Sequence, residues 1–310
     1  MKNLQETFVE LLRRAATDLP RDVEEALVRA QNDERRGTAA HSALGIILQN
    51  AVAAREASAP LCQDTGTHTW NVYLPDGAKT EPILKAIRGA TVTATRKSYL
   101  RPNQMDSVSG KNSGDNIGAG HPGVHFVPWG KPGIHVDVLL KGGGCENCST
   151  QYSLPEQRLG AGRDLAGVRA TLLDAVHRSQ GRGCAPGILG VAIGGDRTTG
   201  YATAKEQFFR PIQDVNPDPR LGALENDVLS CANRLGIGPM GFGGRTTLLA
   251  VKIAGLHRLP ASYFVTVGYM CWACRRASVA IEGRNVRFSQ SAVAGRSRRP
   301  AGQASGRREA

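Results

Sequence analysis

The sequence has 310 residues, a net charge of +12 and 41% hydrophobic residues. This composition is typical of a globular protein and excludes a fibre or a small disulfide-stabilised domain. The longest apolar run, residues 44–48, is too short to cross a bilayer, and from the charged N-terminus we expect no export signal. We therefore expect a cytoplasmic protein that makes no contact with a membrane.

The positive charge is concentrated at the C-terminus. Half of it lies after residue 283, where seven Arg accompany a single acid, Glu309. This segment is rich in Gly, Ser and Pro, which indicates disorder, and its arginine clusters have no aromatic residues between them for base stacking. We predict one domain over residues 1–283 and a disordered basic tail over residues 284–310, and we expect no nucleic-acid partner.

Helices are predicted at the N-terminus, followed by loops and strands. Apolar residues at helical spacing predict one helix before Pro20 and another around residues 44–52, and Pro60 ends the helical section. Between Pro60 and about Lys141 the pattern predicts loops and strands. One of these is a strand over residues 134–140, in which every second residue is apolar.

The C-terminal half mixes both kinds of element. Helices are predicted over residues 164–179 and 222–235, and strands over residues 187–193, 247–253 and 262–270. Because the helices and strands do not alternate strictly, we expect an α+β fold in one large domain rather than a doubly wound parallel sheet.

Seven cysteines make metal binding or thiol reactivity more plausible than disulfides in a cytoplasmic chain. Two pairs have C-x-x-C spacing, Cys145 with Cys148 and Cys271 with Cys274, as zinc sites have, but the gap between the pairs is longer than in a zinc ribbon. Cys231 shares a helical face with apolar residues and is predicted to pack as a small hydrophobe.

Three cysteines, Cys62, Cys184 and Cys271, each lie at the predicted end of an element. Flexible backbone or positive charge next to each of them can hold a thiolate. Three thiolates from distant loops match an iron–sulfur cluster better than zinc. With three protein ligands, a four-iron cluster keeps one iron open for a substrate.

Six separate motifs in the chain then resemble one known family. They are P-L-C-Q-D-T-G (60–66), L-R-P-N (100–103), G-K-N-S-G (110–114), K-G-G-G (141–144), G-I-G-P-M-G (236–241) and C-W-A-C-R-R (271–276). Together they resemble the iron–sulfur class I fumarate hydratase family over about residues 4–290. The similarity is to the α subunit of its two-subunit members, which include L(+)-tartrate dehydratase.

The resemblance implies a [4Fe-4S] cluster and assigns its ligands. The three ligands fall on Cys62, Cys184 and Cys271 in this sequence. The remaining members of the C-x-x-C pairs fall on non-ligand positions, so their spacing is a coincidence under this interpretation.

The resemblance also implies the residues that touch the substrate. These are the side chains of Gln63, Asp64 and Arg101 and the backbone N–H of Gly144. Asp64 would exchange a proton with the leaving hydroxyl. Many relatives place a His twelve residues before the third cluster Cys, where this chain has Leu259. The nearest imidazole is His257, which we expect to assist Asp64 if the loop brings it close.

The expected activity is the reversible hydration of fumarate to L-malate, a step of the tricarboxylic acid cycle with C4 dicarboxylate substrates. Single-chain members carry an additional C-terminal domain with further substrate-binding residues and the base for the carbon-bound proton. The resemblance therefore implies a separate β subunit, in an α2β2 assembly, and an inactive chain in its absence.

Two alternatives stay open. One is an L(+)-tartrate dehydratase α subunit, which differs in substrate by one hydroxyl. The other is a non-catalytic module that binds zinc at the two C-x-x-C pairs and contacts nucleic acid with the basic tail.

Overall fold

The computed structural model describes residues 4–289 and begins with three helices, α1 (Leu4–Thr17), α2 (Arg21–Asp33) and α3 (Ala39–Ala57). Pro20 occupies the N-cap of α2, and the Thr38 hydroxyl accepts the His41 N–H at the start of α3. Ser58, with φ 48°, ends α3 in the left-handed region. The predicted helical section before Pro60 is confirmed.

The other strands and α-helices of residues 4–289 form two sheets and the helices that cover them. In chain order they are β1 (Thr67–Leu74), α4 (Glu81–Arg96), β2 (Gly123–Pro128), β3 (Ile134–Lys141), α5 (Gly143–Cys148), β4 (Thr150–Ser153), α6 (Leu165–Ser179), β5 (Gly187–Ile193), α7 (Arg197–Glu206), α8 (Pro219–Asn233), β6 (Leu248–Gly255), β7 (Phe264–Met270), β8 (Arg275–Glu282) and β9 (Asn285–Ser289).

The first sheet has five strands in the order β2-β1-β3-β8-β9, and its β1–β2 pair is parallel. Alternate residues of β1 and β3, such as Trp70 and Val138, are fully buried on one face. They form a core with Phe8 of α1 and Ile87 of α4. The alternation of apolar residues over 134–140 therefore correctly predicts which face of β3 joins this core.

The second sheet has four strands in the order β4-β7-β5-β6. Leu189 and Val191 of β5 pack against α6 and α8, through residues such as Leu172 and Val228. Ile188 belongs to a third core, which also contains residues of α2, α3 and the first sheet. Helices and mixed sheets thus make up one domain, and the predicted α+β class is confirmed.

The prediction of loops and strands between residues 60 and 141 is wrong for the sixteen residues of α4. Gly89 and a run of Thr and Val residues give this segment low helix propensity. In the fold, the hydroxyls of Thr91 and Thr95 donate to carbonyls one turn earlier, at 3.0 and 2.8 Å. The apolar face of the helix packs against α1 and joins the core of the first sheet, and this burial outweighs the propensity.

The predicted tail starts at residue 284, but Asn285–Ser289 form strand β9, so this boundary is wrong. Val286 and Phe288 alternate with exposed residues and pack against the core of the first sheet. The guanidinium of Arg14 also lies 4.4 Å from the centre of the Phe288 ring. Residues 290–310, which make up the rest of the predicted tail, lie outside the described residues.

No helix within residues 4–289 is long and apolar enough to span a membrane.

Candidate functional site at the junction of the two sheets

Four loops meet where the two sheets adjoin, and strand pairing explains why. The chain passes from β3 to β4 through residues 142–149 and returns from β7 to β8 through residues 271–274. Leu140, near the end of β3, pairs with Arg275, at the start of β8. The loop that leaves the first sheet therefore begins beside the point where the other loop returns to it. Thr67 pairs with Lys141, and Ile188 pairs with Met270, so the loops that precede β1 and β5 end at the same place.

Asp64 connects two of these loops. Its Oδ1 accepts the N–H of Gly66 at 3.0 Å, and its Oδ2 accepts the N–H of Gly143 at 2.7 Å. The buried guanidinium of Arg275 donates to the carbonyl oxygen of Asp64. A Cβ atom at Gly142 would lie 2.8 Å from Oδ2 of Asp64, so only glycine allows this approach. The carboxylate is therefore fixed beside a turn with exposed backbone N–H groups.

The structure brings Cys62, Cys184 and Cys271 to this junction. Cys271 is buried, Cys62 is half-buried and Cys184 is exposed. The carbonyl oxygen of Cys184 accepts the N–H of Trp272 at 3.3 Å, which joins the second and third cysteine loops. Although Cys184 is exposed, neighbouring atoms shield its thiol from part of the solvent, and this partial desolvation raises the pKa of the thiol, as do the nearby thiols, including that of Cys62.

The backbone of Cys184 is in the left-handed region, with φ 54° and ψ 63°. A non-glycine residue in this conformation is strained by about 1 kcal/mol or more. The fold therefore holds Cys184 in an unfavourable backbone conformation at an exposed position of the junction.

A fourth cysteine, Cys145, lies in a small buried cluster with Cys271. The Cys271 thiol lowers the pKa of Cys145 to about 7, and the positive charge of Lys141 contributes in the same direction. The Cys145 thiol in turn raises the pKa of Cys271 well above its usual value. Two buried cations adjoin the turn and favour anionic groups beside it: Arg275, and Lys141, which also pairs with Glu146 at 3.0 Å.

Cys274 and Cys231 are held by other parts of the protein. Cys274 is buried in the third core and accepts a hydrogen bond from Arg276 at 3.2 Å. Cys231 is half-buried and accepts bonds from Arg169 and Arg234, each at 2.9 Å, so the prediction that it packs as a small hydrophobe is wrong.

The donor set distinguishes two kinds of metal site. Among residues 4–289, no three His, Cys, Asp or Glu side chains form a group that could hold a single metal ion, as zinc bound by both C-x-x-C pairs would require. In an iron–sulfur cluster each thiolate binds a different iron, so the sulfurs need not surround one ion. Three cysteines from three adjoining loops, above buried positive charge, suit such a cluster.

Arg101 and Gln63 lie on the exposed side of the same junction. The guanidinium of Arg101 donates to the carbonyl oxygen of Gln63 at 3.5 Å, and the Arg101 N–H donates to the hydroxyl of Thr65 at 3.3 Å. The buried amide of Asn116 donates to the Arg101 carbonyl at 2.8 Å and holds this segment from below. Arg101 is thus docked beside Asp64 with its side chain exposed.

Gly144 is exposed on the turn that follows Gly143. It is the second residue of α5, and a Cβ atom there would come no closer than 3.7 Å to its nearest neighbour, the carbonyl oxygen of Arg182. The surface around this glycine is therefore open enough for a small anion to approach the backbone.

The structure does not bring His257 to Asp64 within the chain. The carbonyl oxygen of His257 accepts the N–H of Gly195, just beyond the end of β5. Cys184 precedes the opposite end of the same strand. Since a strand rises about 3.3 Å per residue, the seven residues of β5 separate the two positions by about 20 Å.

The sequence motifs do not identify three residues that lie at the site in the structure: Arg275, Asn116 and Tyr269. Arg275 lies in the C-W-A-C-R-R motif, where its charge is visible, but its contact with Asp64 spans 211 positions. Asn116, with φ 63°, is fixed in a loop without regular structure. Tyr269 is buried behind the cysteine loops.

Comparisons with known proteins agree on one family. The sequence model described as "Fumarate hydratase (Fumerase)" matches residues 5–280. A Geobacillus stearothermophilus protein named "Putative fumarate hydratase class I" is 48% identical over 285 residues, which cover 91% of this chain and 55% of that protein. The chain therefore spans about half the length of this relative.

Two further relatives match over nearly their whole length. A Methanocaldococcus jannaschii protein named "Putative L(+)-tartrate dehydratase subunit alpha" is 32% identical over 283 residues, which cover 88% of this chain and 96% of that protein. The "L(+)-tartrate dehydratase subunit alpha" of Escherichia coli K12 is 27% identical over 312 residues, which cover 94% of this chain and 97% of that protein.

Proposed function

The chain belongs to the fumarate hydratase (fumerase) family, and from this premise we propose that it is the α-type part of a hydro-lyase that reversibly hydrates fumarate to L-malate. The observation that carries the proposal is the junction itself, where Asp64 and the glycine turn adjoin three cysteine loops. The 48% identity to a relative named for fumarate favours this substrate over tartrate.

Cys62, Cys184 and Cys271 would hold a [4Fe-4S] cluster. When bound, such a cluster supplies Lewis-acid chemistry to the hydroxyl that is added or removed, without net electron transfer. The exposed position of Cys184 leaves that side of the site accessible to a small molecule. Lys141 and Arg275 offset the negative charge of thiolates and substrate from below.

The residues of the chain itself bind the substrate and move one proton. The exposed guanidinium of Arg101 can bind one carboxylate with two hydrogen bonds, and the amide of Gln63 can donate to the same group. The N–H of the exposed Gly144 can donate to an anion, since this residue has no side chain to block the approach. Asp64 accepts the proton of the attacking water in hydration and returns it in dehydration.

A second chain completes the enzyme in this proposal. The match to subunits named alpha, over nearly their full length, supports a separate β subunit that carries the remaining carboxylate contacts and the base for the carbon-bound proton. An α2β2 assembly in the cytoplasm, serving the tricarboxylic acid cycle, is part of the proposal. The chain without its partner is then inactive.

Tartrate dehydration is the second candidate function, because two of the relatives carry that name. The reconstituted complex should be assayed with L-malate and with L(+)-tartrate. Turnover of malate supports the proposal, and turnover of tartrate alone replaces it with the second candidate.

Anaerobic purification with iron and sulfide analysis tests the cluster. Ser substitutions at Cys62, Cys184 and Cys271 are each expected to abolish the brown colour. Cys145→Ser and Cys231→Ser serve as matched controls and should retain it. Zinc without iron, lost on Cys145→Ser, would instead support the non-catalytic module.

A further inference from the structure

Tyr269 occupies the space directly beneath the loop that carries Cys184. It is the penultimate residue of β7 and lies two positions before Cys271. A Cβ atom at Gly183 would lie 2.3 Å from the Tyr269 ring, and one at Gly187 would lie 2.4 Å from the ring and its hydroxyl. The loop backbone thus lies directly against the ring, and the glycines on both sides of Cys184 are required by this contact.

The hydroxyl of Tyr269 is buried without a partner. The residue is 1% exposed, and its hydroxyl makes no hydrogen bond to any atom of residues 4–289. Buried tyrosine hydroxyls normally find a partner, because an unpaired one loses its bonds to water. Tyr152, also buried, shows the usual arrangement, since its hydroxyl donates to Asp174 at 2.7 Å.

The side chain of Tyr269 lies among the cysteine loops, since it packs against the Cys184 loop and stands two positions before Cys271. Burial raises the pKa of Tyr269, and the thiols of Cys271, Cys145, Cys148 and Cys184 raise it further. Two of these four are proposed cluster ligands. A buried donor among thiols has its natural acceptor in a thiolate or sulfide, which carries more negative charge than a neutral thiol.

We propose that Tyr269 is a positioning residue that donates a hydrogen bond to a sulfur of the bound cluster while its ring supports the Cys184 loop. This inference rests on the proposed function, because it requires a cluster. Hydrogen bonds to sulfur stabilise the more negative state of a cluster and raise its reduction potential. The hydroxyl therefore has its partner only in the cluster-loaded protein.

The test compares Tyr269→Phe with Tyr152→Phe in the full chain, purified anaerobically. Three quantities are measured: the rate of cluster loss in air, the reduction potential of the cluster, and the melting temperature of the cluster-free chain. For Tyr269→Phe we expect cluster loss to be about tenfold faster and the potential to be more negative, since a hydrogen bond to a charged acceptor is removed. Its cluster-free melting temperature should be unchanged or higher.

Tyr152→Phe should show the opposite pattern. It removes a bond that exists without the cluster, so the cluster-free melting temperature should fall by a few degrees while cluster loss and potential stay unchanged. The inference is overturned if Tyr269→Phe keeps both the loss rate and the potential of the unaltered protein, or if it lowers the cluster-free melting temperature as Tyr152→Phe does. An unaltered protein with no iron and sulfide overturns the proposed function as well.

Discussion

Oδ2 of Asp64 accepts the backbone N–H of Gly143 at 2.7 Å, across 79 positions of sequence. This bond connects the C-Q-D turn before β1 to the glycine turn after β3. Because the N–H of Gly66 satisfies the other carboxylate oxygen, the side chain has one orientation. The proposed proton-transfer group is therefore fixed by backbone atoms alone.

Asp64→Asn should lower kcat for malate dehydration by at least about 100-fold in the reconstituted complex. In dehydration the leaving hydroxyl must gain a proton, which the amide of Asn cannot transfer to it, and general acid–base catalysis by one group contributes on this scale. Steady-state kinetics measures the loss, and iron analysis checks that the cluster is retained.

His257→Asn is the matched variant, because His257 is the other residue expected from the sequence to move a proton. Its position beyond the far end of β5 predicts a kcat within about twofold of the unaltered protein. A loss as large as that of Asp64→Asn would contradict this and would mean that His257 reaches an active site by another route.

Gly142 and Gly143 make a second matched pair. A Cβ atom at Gly142 meets Oδ2 of Asp64 at 2.8 Å, whereas the nearest contact for one at Gly143 is 3.8 Å. The backbone of Gly142, with φ −66°, would itself accept alanine. Gly142→Ala should therefore displace the Asp64 carboxylate and reduce kcat by 10-fold or more, since catalytic groups act only at short range. Gly143→Ala should leave kcat nearly unchanged. Equal activities in the two variants would refute the steric argument.

The sequence pattern predicts this fold where local signals agree with packing. Residues 187–193 form a fully buried apolar run bounded by glycine and proline, and β5 has the predicted bounds. Helix α4 is missed because its threonines and Gly89 oppose a helix locally, and only the core of the first sheet decides otherwise. Propensity is a weak prior that tertiary context overrides in such cases.

In the candidate site, too, local sequence predicts some residues, whereas contacts between distant segments determine the others. The residues that carry chemistry, such as Asp64, stand in recognisable motifs. The residues that position them do not, because their roles depend on partners far along the chain. Arg275 contacts Asp64 across 211 positions, and Asn116 holds Arg101 across 15 positions through a loop with no periodic pattern.

A buried ion pair should carry much of the stability between α2 and β8. Arg276 is fully buried and lies 2.6 Å from Asp22, which also accepts the N–H of Ile212 at 2.8 Å. Asp22→Asn leaves the guanidinium without its counter-charge, so the free energy of unfolding should fall by about 3–5 kcal/mol. Urea denaturation of the cluster-free chain measures this change.

The adjacent pair provides the control for that variant. Arg21 lies 2.8 Å from Glu25, but its side chain is 88% exposed. Arg21→Ala should therefore change the free energy of unfolding by less than about 1 kcal/mol. Similar losses for Asp22→Asn and Arg21→Ala would show that the burial of Arg276 does not determine the cost.

The folded chain should lose stability below neutral pH because of His68. Burial, together with His121 and Arg275, lowers the pKa of His68 to about 3. The folded chain therefore keeps this imidazole neutral, whereas the unfolded chain binds a proton near pH 6.5, so stability falls as pH drops from 6.5 toward 3. At pH 5 the loss from this group is about 2 kcal/mol.

Urea denaturation at pH 7 and pH 5 should show a smaller decrease in the free energy of unfolding for His68→Leu than for the unaltered chain. His177→Leu, at an exposed position on α6, should keep the full decrease, and an equal decrease in all three proteins would contradict the assignment.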